Sequence, residues 1–202
     1  MRQRLGAMVL LGWVALAASA TGCGSAARYM VEQKPPVALR PAPGQALVVF
    51  VRPSKFAFAV SANILDGRGT FLGDMPAKGH FGVSLPPGQH TFVIWAENTD
   101  ALVANLAPGR IYFVEVYATM GVWSAHMHMR AIKPGTPQWS QRDAWILDST
   151  QFIVSDPAGA QENLLRKGQD KIAERLRRAR EHMERYSAAE QHERTLAPED
   201  GL

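Results

Sequence analysis

The sequence predicts a mainly β protein: a small antiparallel β-sandwich followed by a long C-terminal amphipathic helix. Three observations carry this expectation. Between Ala46 and Ile132, short apolar segments rich in β-branched and aromatic residues are separated by Pro-Gly, Asp-Gly and Asn-Thr-Asp turns. Helical periodicity is absent from that stretch. From Asp156 onward the pattern changes to a charged, heptad-like repeat.

The first element is a leader. Met1-Arg2-Gln3-Arg4 precedes an apolar run from Leu5 to Ala18, and Ala20-Thr21-Gly22-Cys23 follows. A basic start, an apolar middle and small residues before a cleavage point mark a secretory signal over residues 1–22. The run contains Gly6 and Gly12 and falls short of the roughly 20 apolar residues a membrane span needs. Its last four residues resemble the lipobox of bacterial lipoproteins. That resemblance implies cleavage before Cys23 and acylation of Cys23, with a diacylglyceryl thioether and an amide-linked chain. At about 0.8 kcal/mol per buried methylene, such an anchor is lasting. Gly24 after the cysteine resembles lipoproteins delivered to the outer membrane, facing the periplasm.

Cys23 is the only cysteine, so the fold rests on its apolar core rather than on disulfides. The net charge of +4 falls to +2 when Arg2 and Arg4 leave with the signal. With no basic domain and no binding motif, nucleic acid is excluded as a partner. Residues 23–45 read as a lipidated Pro-rich tether, because Lys34-Pro35-Pro36 and Arg40-Pro41-Ala42-Pro43-Gly44 favour extended chain.

Residues 46–155 form the β domain in this reading. Leu47-Val48-Val49-Phe50-Val51 is continuously apolar, as in a strand buried on both faces. Phe58, Val60, Ala62 and Ile64 alternate with smaller or polar residues, and Asp66-Gly67-Arg68-Gly69 makes a hairpin turn to Thr70–Gly73. Phe81, Val83 and Leu85 alternate before Pro86-Pro87-Gly88. Gln89–Glu97, Leu102–Leu106, Ile111–Ala118 and Trp123–Ile132 supply further strands. Such spacing predicts an antiparallel sandwich or barrel. Trp139, Trp145, Ile146, Leu147, Phe152, Ile153 and Val154 suggest a segment that packs back on the domain, with a final strand.

Residues 156–202 are read as a charged helix with a frayed end. Asp156-Pro157 is a helix start. Leu165, Ile172, Leu176, Ala179, Met183 and Tyr186 fall on one apolar seam, the candidate partner-binding surface, against another copy as a short coiled coil, an envelope protein, or the β domain itself. Gly168 weakens the first turns, and Ala188–Leu202 is expected to fray.

Residues 46–132 resemble a bacterial family known as domain of unknown function 2846, whose members are often small lipoproteins. The resemblance rests on Ala46–Ser54, on the Leu85-Pro86-Pro87-Gly88-Gln89-His90 turn, and on Leu106–Val114. Pro-Gly turns of this kind also recur in prealbumin-like and PEGA-like envelope modules. The resemblance implies a small β module. It brings no established activity, no catalytic residues and no cofactor.

Candidate sites are few. His126, His128 and Arg130 share one face of a strand, and Trp123, Ala125, Met127, Met129 and Ala131 share the other. Two imidazoles are candidate Cu or Zn ligands. The sulfurs point away from them and Arg130 repels a cation, so a polar outer face over an apolar inner one is favoured, with no metal. Arg166–Arg185 carries eight basic and four acidic residues, a surface for anionic lipid or an ion-paired helix. His80 and His90 are possible bases, with Ser54, Ser61 or Ser84 as nucleophile, but no Gly-x-Ser-x-Gly elbow or zinc motif brings them together. Tyr112 and Tyr117 are glycan contacts if they lie on the surface. The reading is a non-enzymatic, membrane-anchored interaction module. Metal handling and, more remotely, hydrolysis are the alternatives.

Overall fold

The computed structural model describes residues 28–60 and 62–202; the leader, Cys23 and Ser61 lie outside them. In chain order the strands are β1 (Met30–Glu32), β2 (Ala46–Arg52), β3 (Asn63–Asp66), β4 (Phe71–Asp74), β5 (Gly79–Leu85), β6 (Gly88–Trp95), β7 (Thr99–Leu106), β8 (Ile111–Met120), β9 (Ala125–Ile132), β10 (Thr150–Val154) and β11 (Thr195–Leu196). The helices are α1 (Pro137–Leu147), α2 (Pro157–Arg166), α3 (Gln169–Arg185) and α4 (Ala188–Glu193).

The strands form two mixed sheets, ordered β1-β10-β5-β2-β8-β9 and β11-β7-β6-β3-β4. The expectation of purely antiparallel pairing is corrected at three places: β2 with β8, β10 with β5, and β11 with β7 are parallel. Apolar alternation tells which face a residue occupies. It does not tell which strand lies beside it.

β2 shows why its sequence is apolar throughout. Val48 and Phe50 enter a core cluster that draws on both sheets, with Ile64, Phe81, Phe92, Ile94, Leu102, Val114, Met127 and Met129. Leu47, Val49 and Val51 point the other way and pack with Phe113 and Ile132 under Trp139, Trp145 and Ile146 of α1. The second sheet is covered likewise. Leu65, Phe71, Val93 and Ala101 meet Ala160 and Leu164 of α2 and Ile172 and Ala179 of α3.

The tail differs from the sequence expectation in three ways. First, one long helix becomes two, because Gly168 takes φ of 107° between α2 and α3. Asp156 caps α2 as expected, its side chain accepting from Gly159 N at 2.8 Å. Second, the seam packs on the chain's own β domain. Ile172 and Ala179 are buried, and Leu176 and Met183 lie against the same cluster. Leu165 is 42% exposed, and its neighbour Leu164 takes the inward position. Third, Ala188–Leu202 does not fray. α4 carries a capping box between Ser187 and Glu190, Leu196 is fully buried beside β7, and Leu202 exchanges hydrogen bonds with Ile111.

The proposed tether is also shorter than its sequence suggests. β1 pairs with β10, and the Gln151 side chain holds the Val37 backbone from both sides, at 2.7 and 3.0 Å. Phe58 is displayed on a turn rather than a strand, and Trp123 lies in the β8–β9 turn, outside β9.

Candidate functional site

β9 is an edge strand, so its outward N–H and C=O groups need partners from elsewhere. Side chains at the start of β7 supply them. Asn98 Oδ1 accepts from Met127 N at 2.7 Å, while its Nδ2 donates to Met127 O at 2.8 Å. Two residues on, Asp100 Oδ2 accepts from Met129 N at 3.1 Å. Together they fasten the two sheets at one edge.

Asp100 is 2% exposed and collects four further donors. Ala101 N donates to Oδ1 at 2.9 Å, Arg194 Nε at 3.3 Å, and the Tyr186 hydroxyl donates to the same oxygen. His128 Nδ1 lies 3.3 Å from Oδ2. Burial alone would raise the Asp100 pKa. His128, Tyr186, Arg194 and the Met129 N–H outweigh it and bring the value to about 2. The Tyr186 hydroxyl is pushed far up, by burial and by the carboxylate it donates to. The Arg194 guanidinium also stacks on the Tyr186 ring at 4.5 Å.

His128 is held at both nitrogens. Its Nδ1 faces the ionised Asp100, which calls for the hydrogen there, and Nε2 lies 3.0 Å from Thr119 Oγ1. A carboxylate, an imidazole and a hydroxyl in that order have the connectivity of an activated nucleophile. Thr119, however, lies exposed on the sheet surface and outside the lining of the adjacent cleft. The two contacts fix the orientation of the His128 ring.

That cleft, of about 490 Å³, opens between the start of β7, the start of β9 and the C-terminal end of α3 with α4. His182 Nδ1 donates to Thr99 O at 3.1 Å and fixes a second imidazole at its wall. His126 and Arg185 complete the basic lining. Glu190 is the other acid there. One of its oxygens accepts from Ser187 N at 2.9 Å and Ser187 Oγ at 2.7 Å.

The candidate metal ligands do not converge. The His126 and His128 rings are 6.4 Å apart at their centroids, and Met127 and Met129 are buried on the opposite face. Among the described residues, no group of three or more His, Cys, Asp or Glu is placed to hold a metal ion. Arg130 pairs with Glu115 at 2.8 Å.

The proposed catalytic pairs also separate. His80 is buried against Ser149 Oγ at 2.8 Å, and His90 Nε2 meets Pro86 O at 2.8 Å. Ser54 Oγ accepts from Phe56 N at 3.0 Å. Ser84 is exposed on β5, with no hydrogen bond to either histidine, and Ser61 lies outside the described residues. Tyr112 is no glycan contact: it is fully buried, and its hydroxyl donates to Pro198 O at 2.9 Å. Tyr117 is half-buried between His128 and Arg130. The basic stretch of α3 is laced by Arg177 and Arg178 to Glu174, by Arg177 to Glu181, and by Arg185 to Glu181.

One end of the molecule is apolar at its surface. β2 and β8 are parallel, so the loop after Arg52 and the β8–β9 turn lie at the same end. β10 starts level with Gly79, opposite Arg52, which brings the end of α1 there too. Val122 is 88% and Trp123 97% exposed, and Met120, Phe58 and Leu147 are exposed toward the same end. Arg52 underlies this end. It is buried with no carboxylate pairing it among the described residues. Its Nη2 donates to Phe56 O and Ala57 O, both at 2.7 Å, and its Nη1 to Met75 O at 3.3 Å. Burial lowers its pKa. A buried cation used to pin a loop is a costly device, and the loop it pins displays Phe56 and Phe58.

A smaller cavity, of about 90 Å³, lies between α2 and the β3–β4 hairpin. Asp74 lines it, hydrogen-bonded by Asn63 Nδ2. Burial raises its pKa to about 6, against the opposing pull of Asn63 and Lys167.

Asp100, Arg194 and Thr119 escape the sequence reading. Asn98-Thr99-Asp100 looks like a turn, and its side-chain partners, Ala101 N apart, lie 28 or more positions away. The single local signal is a polar pair at alternate positions leading into an apolar strand. No family model matches the chain, and no curated relative is found.

Proposed function

We propose that this chain is a non-enzymatic, lipid-anchored interaction module of the bacterial envelope. In this reading Cys23 carries the acyl chains and the protein faces the periplasm from the outer membrane. The two sheets act as a compact sandwich of the small β-module kind that residues 46–132 resemble, presenting a partner-binding end. One observation carries the reading. β1 runs parallel to β2, so the chain enters at the end of the six-stranded sheet opposite the apolar tip. Met30 lies level with Tyr112, and Met120 stands eight residues farther along β8. At about 3.3 Å per residue the tip projects roughly 25 Å beyond the entry point. Six residues separate Cys23 from Met30, so an acylated Cys23 keeps the entry end near the bilayer and aims the tip away from it.

The partner surface is then the tip and not the seam, because the seam is covered by the chain's own sheet. The test has two parts. Palmitate labelling and membrane retention should both require Cys23. A photo-crosslinker at Trp123 should capture a discrete envelope partner, whereas one at the solvent-facing Arg180 of α3 should not. A Cys23→Ala protein that keeps its membrane attachment, or equal capture from both positions, contradicts the reading.

A further inference from the structure

We propose that the cleft between β7, β9 and α3 is a binding site for an oxyanion group, a phosphate or a carboxylate. The acceptors in the cleft are engaged: Asp100 receives donors on both oxygens, and Glu190 is tied through one oxygen to Ser187. The donors are not. Arg194 uses only Nε, on Asp100, and among the described residues its two terminal nitrogens make no hydrogen bond. Its side chain is 12% exposed, with the terminal nitrogens still within reach of an incoming acceptor. Arg185 donates from Nε to the Glu181 carbonyl at 3.1 Å and holds the Glu181 carboxylate only loosely, at 3.6 Å. An exposed pair of that kind is worth no more than about 1 kcal/mol and yields easily to a better acceptor.

The geometry is also fixed in advance. Asp100 sets the Arg194 fork and the His128 ring, Thr99 O sets the His182 ring, and the Tyr186 ring supports the guanidinium from below. A planar fork presented edge-on is the arrangement that takes two oxygens of one carboxylate or phosphate. At about 490 Å³ the cleft has room for a group larger than the free ion. The site is independent of the lipid anchor and of the apolar tip.

The test uses the full chain in detergent, titrated with inorganic phosphate and, separately, with acetate, at ionic strength held constant with chloride. Saturable binding should appear in calorimetry, with shifts of the His126 and His182 imidazole resonances. His182→Gln combined with Arg185→Gln should weaken it at least tenfold, while far-ultraviolet circular dichroism of the free protein still shows the wild-type fold. Arg194→Lys keeps the charge but removes the fork, and should abolish binding. Saturation by phosphate alone assigns a phosphate-bearing ligand, and saturation by acetate alone a carboxylate. Absence of saturable binding of either ion, or equal affinity in the double variant, overturns the site.

Discussion

Two buried aspartates in this protein respond oppositely to pH, and the cause lies in what surrounds each carboxylate. Asp100 is held near a pKa of 2, below its unfolded value, by the donors converging on it. Its contribution to stability is therefore complete above about pH 4 and disappears as the pH falls toward 2, an effect of about 2 kcal/mol. Asp74 is raised to about 6, because its burial outweighs Asn63 and Lys167. The folded state binds that proton more tightly than the unfolded chain does, so Asp74 lowers stability as the pH rises from about 4 to 6. Urea unfolding across pH 2–8 should show Asp74→Asn gaining stability relative to wild type between about pH 4 and 6. Asp100→Asn should lose about 3 kcal/mol at pH 7, because Arg194 keeps its charge without a partner, and the difference from wild type should shrink toward pH 2. Parallel curves for wild type and Asp100→Asn would show that the carboxylate's charge is not what the site relies on.

At the level of elements, α3 is fastened to the second sheet by Ile172 and Ala179, and Ile172 Cγ2 packs where a Cβ on Gly69 would stand, 2.7 Å away. Ile172→Ala should destabilise the protein by about 2–4 kcal/mol. Leu176→Asp should lower the melting temperature equally at dilute and concentrated protein. A concentration-dependent loss would mean that the seam pairs two chains. The same helix shows where the sequence was informative. The spacing of Ile172, Leu176, Ala179 and Met183 identified one apolar face, and Asp156-Pro157 identified a start, because both signals are local. What covers that face is a tertiary fact, and periodicity does not carry it. In β2 the unbroken apolar run correctly implied two covered faces. The parallel partner β8, sixty residues on, left no local trace. The β9 alternation placed His126 and His128 outside and Met127 and Met129 inside, as found. Asp100 was missed because its meaning comes from residues 128, 186 and 194, which the chain meets only after folding. The Arg52 cage was invisible for the same reason: its partners are backbone carbonyls, and these have no sequence signature.

The molecule as a whole is polarised along its strands, with the chain entry at one end and Val122, Trp123 and Phe58 at the other. Apolar side chains so exposed contribute little to folding, since surface substitutions away from packed features shift stability by no more than about 0.5 kcal/mol. Their cost is solubility, and apolar side chains gathered at one end of a molecule are candidates for an interaction site. Polarity of this sort makes a prediction about orientation. With Cys23 acylated, a Val122→Cys variant holds one free thiol, which takes a nitroxide label without disturbing the core. In vesicles carrying the lipidated protein, that label should be relaxed strongly by water-soluble nickel chelate and weakly by oxygen, because the strand rise carries it away from the anchored bilayer. The same label at Val31, in β1, should lie nearer the headgroups and show a smaller nickel effect. If position 122 is shielded from nickel and relaxed by oxygen, the tip itself enters the lipid, and the apolar end is a second membrane contact in place of a partner surface.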